Sequence, residues 1–150
     1  NTSWAIYVGR APFALSVVNV RCNVTLAAAT ITWAEVALAT GPLVANGNSA
    51  LTVVGTTDVS GVINTTGLKT IKIVSTKPVH EYDDLWIIIG NQATTVAEIR
   101  QGTAIDHHQQ GMASSKINTK PSDILDVATG FLTESNTAAN CVSLICIGYT

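Results

Sequence analysis

Between Val18 and Leu26 the chain alternates without a break: Val18, Val20, Cys22, Val24 and Leu26 fall on one side, and Asn19, Arg21, Asn23 and Thr25 on the other. A period of two marks a β-strand with one face in a core and the other in solvent. The same bias runs through the whole chain. Twenty Thr, 16 Val and 14 Ile among 150 residues put a β-branched side chain at one position in three, and such side chains fit a pleated sheet better than a helix. A helical protein is excluded. The length is right for a single domain over 1–150, with enough core to stand without disulfide or metal staples.

The remaining strands follow from shorter patterns. Trp4 to Val8 is a strand closed by Gly9. Ile31 to Ala39 sets Trp33 and Glu35 against Val36 and Leu38; helix competes there, because Ala and Leu favour it, but β-branched residues open the segment and Gly41-Pro42 closes it. Leu51 to Gly55 is a short strand, and 56–67 is a looser connection. Leu68 to Val74 points Ile71 and Ile73 inward, and Lys77 to Asp84 is a polar turn. Leu85 to Ile89 is apolar on both faces, as in a central strand covered on both sides. Ala93 to Arg100 is a further strand and Cys141 to Tyr149 the last. Residues 101–123 form a long polar loop, and loops of that length are usually functional or ordered by a partner. About eight strands and no helix give an all-β fold, an antiparallel two-sheet sandwich of jelly-roll type.

Charge narrows the classes of partner. Eight Lys and Arg against ten Asp and Glu leave a net charge of −2, with no basic block to neutralise a row of phosphates, so nucleic acid is not an expected partner. No apolar run approaches the roughly 18 residues of a membrane helix, and no membrane association is expected. Charged residues make up 12% of the chain, about half the usual share. Much of the surface is therefore Thr, Ala, Asn, Ser and Val, which suits sheets that meet other subunits, and a stable homo-oligomer is expected. Cys22, Cys141 and Cys146 are odd in number and lack CxxC spacing; Cys141 and Cys146 are five apart on one strand and face opposite ways. Free thiols, and no secretory leader pattern at the Asn1-Thr2-Ser3-Trp4 opening, fit assembly in a reducing cytosol.

Candidate chemistry is sparse. His80, Asp83 and Asp84, with Glu81, are the densest group of metal-ligand types, but acids ahead of an apolar strand equally solvate a chain reversal. Asp106-His107-His108 lacks a third ligand nearby. No GxSxG, HExxH or SxxK motif is present, and nothing pairs Glu35, Glu81 or Glu98 for glycoside chemistry. No catalytic residue, metal or cofactor is expected. Trp4, Trp33, Trp86 and the tyrosines offer stacking surfaces for a sugar, although Trp33 and Trp86 lie inside apolar strands, where core packing is the expected role.

Three stretches carry a resemblance: Tyr7-Val8-Gly9-Arg10-Ala11; Ala28 to Ala37, containing Thr30-Ile31-Thr32-Trp33-Ala34-Glu35; and Asp83 to Thr95, containing Leu85-Trp86-Ile87-Ile88-Ile89-Gly90-Asn91-Gln92. Together with the Asp58 to Lys69 run, they make the chain similar over residues 4–100 to small jelly-roll structural proteins of tailed bacteriophages, the capsid decoration (cement) proteins and related fibre tips. The resemblance implies a virion protein on the outer capsid surface, assembled in the host cytoplasm, that trimerises and clamps major capsid subunits. The alternative within the same group is a receptor- or carbohydrate-binding tip of a head or tail fibre. The expected docking elements are the N-terminal Asn1, Thr2 and Ser3, and His107, His108, Gln109, Gln110 and Met112 of the long loop.

Overall fold

A computed structural model describes residues 2–43, 48–95, 97–99, 114–117, 120–123, 128–130 and 145–150. Its strands are β1 (Thr2–Arg10), β2 (Leu15–Leu26), β3 (Ala29–Thr40), β4 (Asn48–Ala50), β5 (Thr52–Asp58), β6 (Gly67–Val79), β7 (Asp84–Thr95), β8 (Glu98–Ile99), β9 (Ser114–Ile117), β10 (Ala128–Gly130) and β11 (Ile145–Tyr149). A 3₁₀ turn, η1, covers Pro121–Asp123. Sheet A runs β5-β3-β7-β1-β9. Sheet B runs β11-β2-β6, with β8 also on β2, and β4 pairs with β10 apart from both. Every ladder is antiparallel.

The pairings are nested. β3 pairs with β5, β2 with β6 and β1 with β7, so the chain is one long antiparallel ribbon folded back on itself. Successive pairs fall in alternate sheets, and β3 closes onto β7 to complete the roll. This is the jelly-roll arrangement expected from the strand count. The main core lies between the sheets, where Val18, Val20, Cys22 and Val24 of β2 meet Ile71 and Ile73 of β6, Val36 and Leu38 of β3, and Ile87 of β7. Val59 and Ile63, from the β5–β6 connection, join the same core. At the β5–β6 side the two sheets are stitched together. Thr57 donates to the Lys72 carbonyl at 2.7 Å and Thr76 to the Val54 carbonyl at 3.1 Å. Gly55 permits this approach, since a Cβ there would lie 2.4 Å from the Val74 carbonyl oxygen.

A second core lies on the opposite face of sheet A. Ala5, Ala37, Ala39, Trp86 and Ile88 pack there with Leu51 and are all fully buried. The apolar run of β7 is thus shared between two cores, with Leu85, Ile87 and Ile89 in one and Trp86 and Ile88 in the other. This double burial is one intramolecular source of the chain's low charge.

Four sequence expectations change. Leu26 is exposed, because the ladder to β8 shifts register between Val24 and Leu26 and ends the alternation. The turn expected over 77–84 is confined to 80–83, since β6 continues to Val79. Pro78 is tolerated in β6 because the ladder to β2 jumps from Val74 to Val79, so that no pairing N–H is needed at Pro78. Within the loop expected over 101–123, Ser114–Ile117 is a strand on the edge of β1 and Pro121–Asp123 is η1; neither shows alternation, because backbone pairing and one anchoring carboxylate hold them. Trp33 is half-exposed, and its indole N–H donates to Gln92 Oε1 at 2.9 Å.

Candidate functional site

At one end of the sandwich, the β6–β7 turn meets the β1–β2 connection and the end of β3. Asp83 builds the turn: its Oδ2 accepts the His80 N–H at 2.8 Å, and its own N–H donates to the His80 carbonyl at 3.2 Å. Two backbone bonds then tie the turn down, from the Tyr82 N–H to the Ala11 carbonyl at 2.8 Å and from the Ala11 N–H to the Asp83 carbonyl at 2.9 Å. Held this way, Tyr82 has a φ of 70°, a left-handed conformation that costs a non-glycine residue on the order of 1 kcal/mol. The residue is 70% exposed.

Asp84 is the polar hub beside it. Its Oδ1 accepts the Tyr7 hydroxyl at 2.8 Å and Arg10 Nε at 3.4 Å, and its Oδ2 accepts the Leu43 N–H at 3.1 Å. Burial alone would raise the Asp84 pKa, but the bonds from Tyr7, Leu43 and Arg10 outweigh it and hold the carboxyl below its ordinary range. Burial, followed by the bond to Asp84, pushes the Tyr7 phenol up. Tyr7 also meets Trp86 edge-on, with ring centroids 5.2 Å apart, and the Trp86 indole donates to the Gly41 carbonyl at 2.9 Å. Between the turn and the ends of β3 and β5 lies an open cleft of about 380 Å³, bordered by Thr40, Gly41, Pro42, Thr52, Tyr82 and Asp83.

A second polar cluster fastens η1 to sheet A. Glu35 accepts the Ser122 N–H at 3.0 Å and the Ser122 hydroxyl at 3.1 Å, and it pairs with Lys120 at 3.0 Å. The hydrogen bond and charge of Glu35 raise the Lys120 pKa.

The third feature is the outer face of sheet B. The ladders place Tyr149, Val17 and Val74 in one cross-strand row, with Ile147, Asn19 and Lys72 in the next row on that face. Val74, Ile147 and Tyr149 are exposed. Arg21 and Lys72 are also exposed on this face, and β2, β6 and β11 carry no acidic residue. The exposed acids Asp58, Glu81 and Asp123 lie on sheet A or its connections.

The sequence-predicted residues are distributed as follows. His80, Asp83 and Asp84 come together in the turn, but the two carboxylates face backbone and side-chain donors of the protein itself, and among the described residues no three His, Cys, Asp or Glu side chains could hold one metal ion. Glu35 is in sheet A, Glu98 in sheet B and Glu81 in the turn, so they form no pair. Thr2 pairs with Asn91 in β1. Ser3 is fully buried against Gly90 rather than displayed at the surface. Asn1, His107, His108, Gln109, Gln110 and Met112 lie outside the described residues, as does Cys141. Cys22 and Cys146 are free thiols whose pKa burial pushes up, that of Cys146 to about 11.

Sequence reasoning missed Tyr82 and the sheet B row. The available signals were an aromatic set between acids in a turn, and Val17, Val74, Ile147 and Tyr149 at positions where alternation calls for polar side chains. No protein-family model, curated protein or solved structure matches the chain.

Proposed function

We propose that the chain is a non-enzymatic virion structural protein, a capsid decoration (cement) protein that forms a homotrimer and clamps major capsid subunits on the outer surface of the particle. The observation that carries this reading is the outer face of sheet B, where an exposed apolar row is flanked by Arg21 and Lys72 and the strands that carry it, β2, β6 and β11, have no acidic residue. Its occupant is a second copy of the chain. Asp58, Glu81 and Asp123 lie elsewhere on the surface, so a head-to-tail contact sets cations against acids, whereas a face-to-face contact opposes like charges. A head-to-tail contact that closes gives a ring. The trimer then engages several capsid subunits at once and gains from effective concentration. The doubly buried β7 suits a part that must stay rigid.

Sedimentation tests the assembly. A trimer is expected at micromolar concentration, and Val74→Lys with Ile147→Lys should return it to a monomer that keeps its β-sheet circular dichroism spectrum, with a lower, concentration-independent unfolding midpoint. A clean 15.7 kDa monomer of the unmodified chain would sink the proposal. Particle maps test the location. Decoration requires many copies spread over the capsid, whereas a fibre tip requires a few copies at its end.

A further inference from the structure

We propose that the loop end of the sandwich, with Phe13, Leu43 and Tyr82 exposed beside Glu81, is the surface that seats on the outer face of sheet B of the next copy. This contact presupposes the homotrimer proposed above and supplies its second surface. Three connections bring the residues to one end. Phe13 lies in the β1–β2 connection, two residues past Ala11, whose carbonyl accepts the Tyr82 N–H at 2.8 Å. Leu43 follows β3, and its N–H donates to Asp84 Oδ2 at 3.1 Å. All three residues are exposed. Single exposed apolar residues are ordinary, but several gathered at one end with a charged border mark an interaction surface. Tyr82 adds to the case. Its positive φ would be relieved by glycine or asparagine, and a large aromatic side chain is of most use where a partner covers it.

Charge selects the occupant. The row of Val74, Ile147 and Tyr149 is exposed with Arg21 and Lys72, on strands without an acid, so its counterpart needs exposed apolar residues and a negative border. Three surfaces compete. The far end of the sandwich exposes Leu26 and Leu68, but Lys69 beside them would oppose the cations of sheet B. Around β5 and η1, Asp58 and Asp123 flank Lys120, whose charge they offset, and no large apolar residue of either element is exposed. At the loop end Arg10 is paired with Asp84 at 3.4 Å, Lys77 lies on β6 with the cations of sheet B, and Glu81 is exposed in the turn. The loop end therefore joins exposed apolar residues to an acid. It also lies close to the row, since β2 starts from the 11–14 connection and reaches the row at Val17. Patches on opposite faces would stack copies in line. A sheet face and an adjoining end turn each copy against the last, as a closed ring requires.

Sedimentation of full-chain variants tests the contact. Phe13→Ser with Tyr82→Asn should abolish the oligomer and keep the β-sheet circular dichroism spectrum, since asparagine tolerates a left-handed backbone. Glu81→Lys, which sets a cation against cations, should weaken assembly by about tenfold or more. Mixing then identifies the pairing. The Phe13→Ser/Tyr82→Asn chain keeps its sheet B face, and the Val74→Lys/Ile147→Lys chain keeps its loop end. Each alone should be a monomer, and an equimolar mixture should form a one-to-one dimer that grows no further. Three results overturn the proposal: a loop-end variant that assembles as the unmodified chain does, a loop-end variant that dimerises by itself through sheet B, or a mixture that stays monomeric. In each of these the unmodified chain still assembles and the homotrimer stands. A monomeric unmodified chain overturns both.

Discussion

Sheets A and B are built from strands of similar length and composition, yet they meet their surroundings in opposite ways. The central strand of sheet A, β7, is buried on both faces, with Ile87 in one core and Trp86 and Ile88 in the other. Sheet B buries Val18, Val20, Ile71 and Ile73 on one face and leaves Val74, Ile147 and Tyr149 exposed on the other. Sheet A therefore has the character of an interior, and sheet B is a wall with apolar side chains exposed on its outer face. The difference lies in what covers each sheet. Leu51 packs over sheet A within the chain, whereas Val74, Ile147 and Tyr149 on sheet B stay exposed.

The largest expected effect sets the two walls against each other. Trp86→Ala should cost about 3–5 kcal/mol in urea unfolding, since it empties the second core and strands the Gly41 carbonyl. Tyr149→Ala, on the open wall, should change the monomer's stability by less than about 0.5 kcal/mol. Equal costs would show that sheet B's outer face is not a free surface in the monomer.

Next comes the close approach inside sheet A. A Cβ at Gly90 would lie 2.0 Å from Ser3 Oγ and 2.9 Å from Ser3 Cβ. Gly90→Ala should therefore cost about 1–3 kcal/mol, and adding Ser3→Gly should recover much of it. Simple additivity of the two substitutions would place Ser3 elsewhere.

The smallest effect is at the loop end. Folded Asp84 binds its proton less tightly than it does in the unfolded chain, so its contribution is fully present above the ordinary aspartate value of 3.8 and is lost as the pH falls through the lower folded value. Acid unfolding followed by circular dichroism should show this part of the slope vanish in Asp84→Asn. An unchanged slope would remove Asp84 from the acid response.

How much of this was legible in the sequence depends on how local the cause was. The alternation of Val18, Val20, Cys22 and Val24 and the unbroken apolar run of β7 gave both sheets their strands, their inward faces and the sandwich, because periodicity maps directly onto burial. Strand β9 was hidden, since Ser-Ser-Lys-Ile owes its conformation to the edge of β1. Trp33 was misassigned to the core because its exposure is decided at the frayed end of sheet A, where the β3–β7 register shifts between Ile31 and Trp33. His80, Asp83 and Asp84 were legible as a cluster. That Asp84 is spent on Tyr7, Arg10 and Leu43 was not, because those partners lie far away in the chain. Tyr82 could not be singled out, since its left-handed conformation is set by the backbone bonds that tie the turn to Ala11.

The nested ribbon also fixes an order of events during synthesis. β3 and β5 are separated only by the short β4 and can pair soon after both emerge, and β2 must wait for β6. β1 leaves the ribosome first yet is completed last, because Trp4 has to find Ile89. Contacts so distant in sequence make for slow folding, and until β7 arrives the apolar β1 is an unpaired edge exposed to aggregation. The period between the synthesis of β1 and that of β7 is when the protein is most vulnerable. A slow phase that reports on the Tyr7–Trp86 contact would be its kinetic signature.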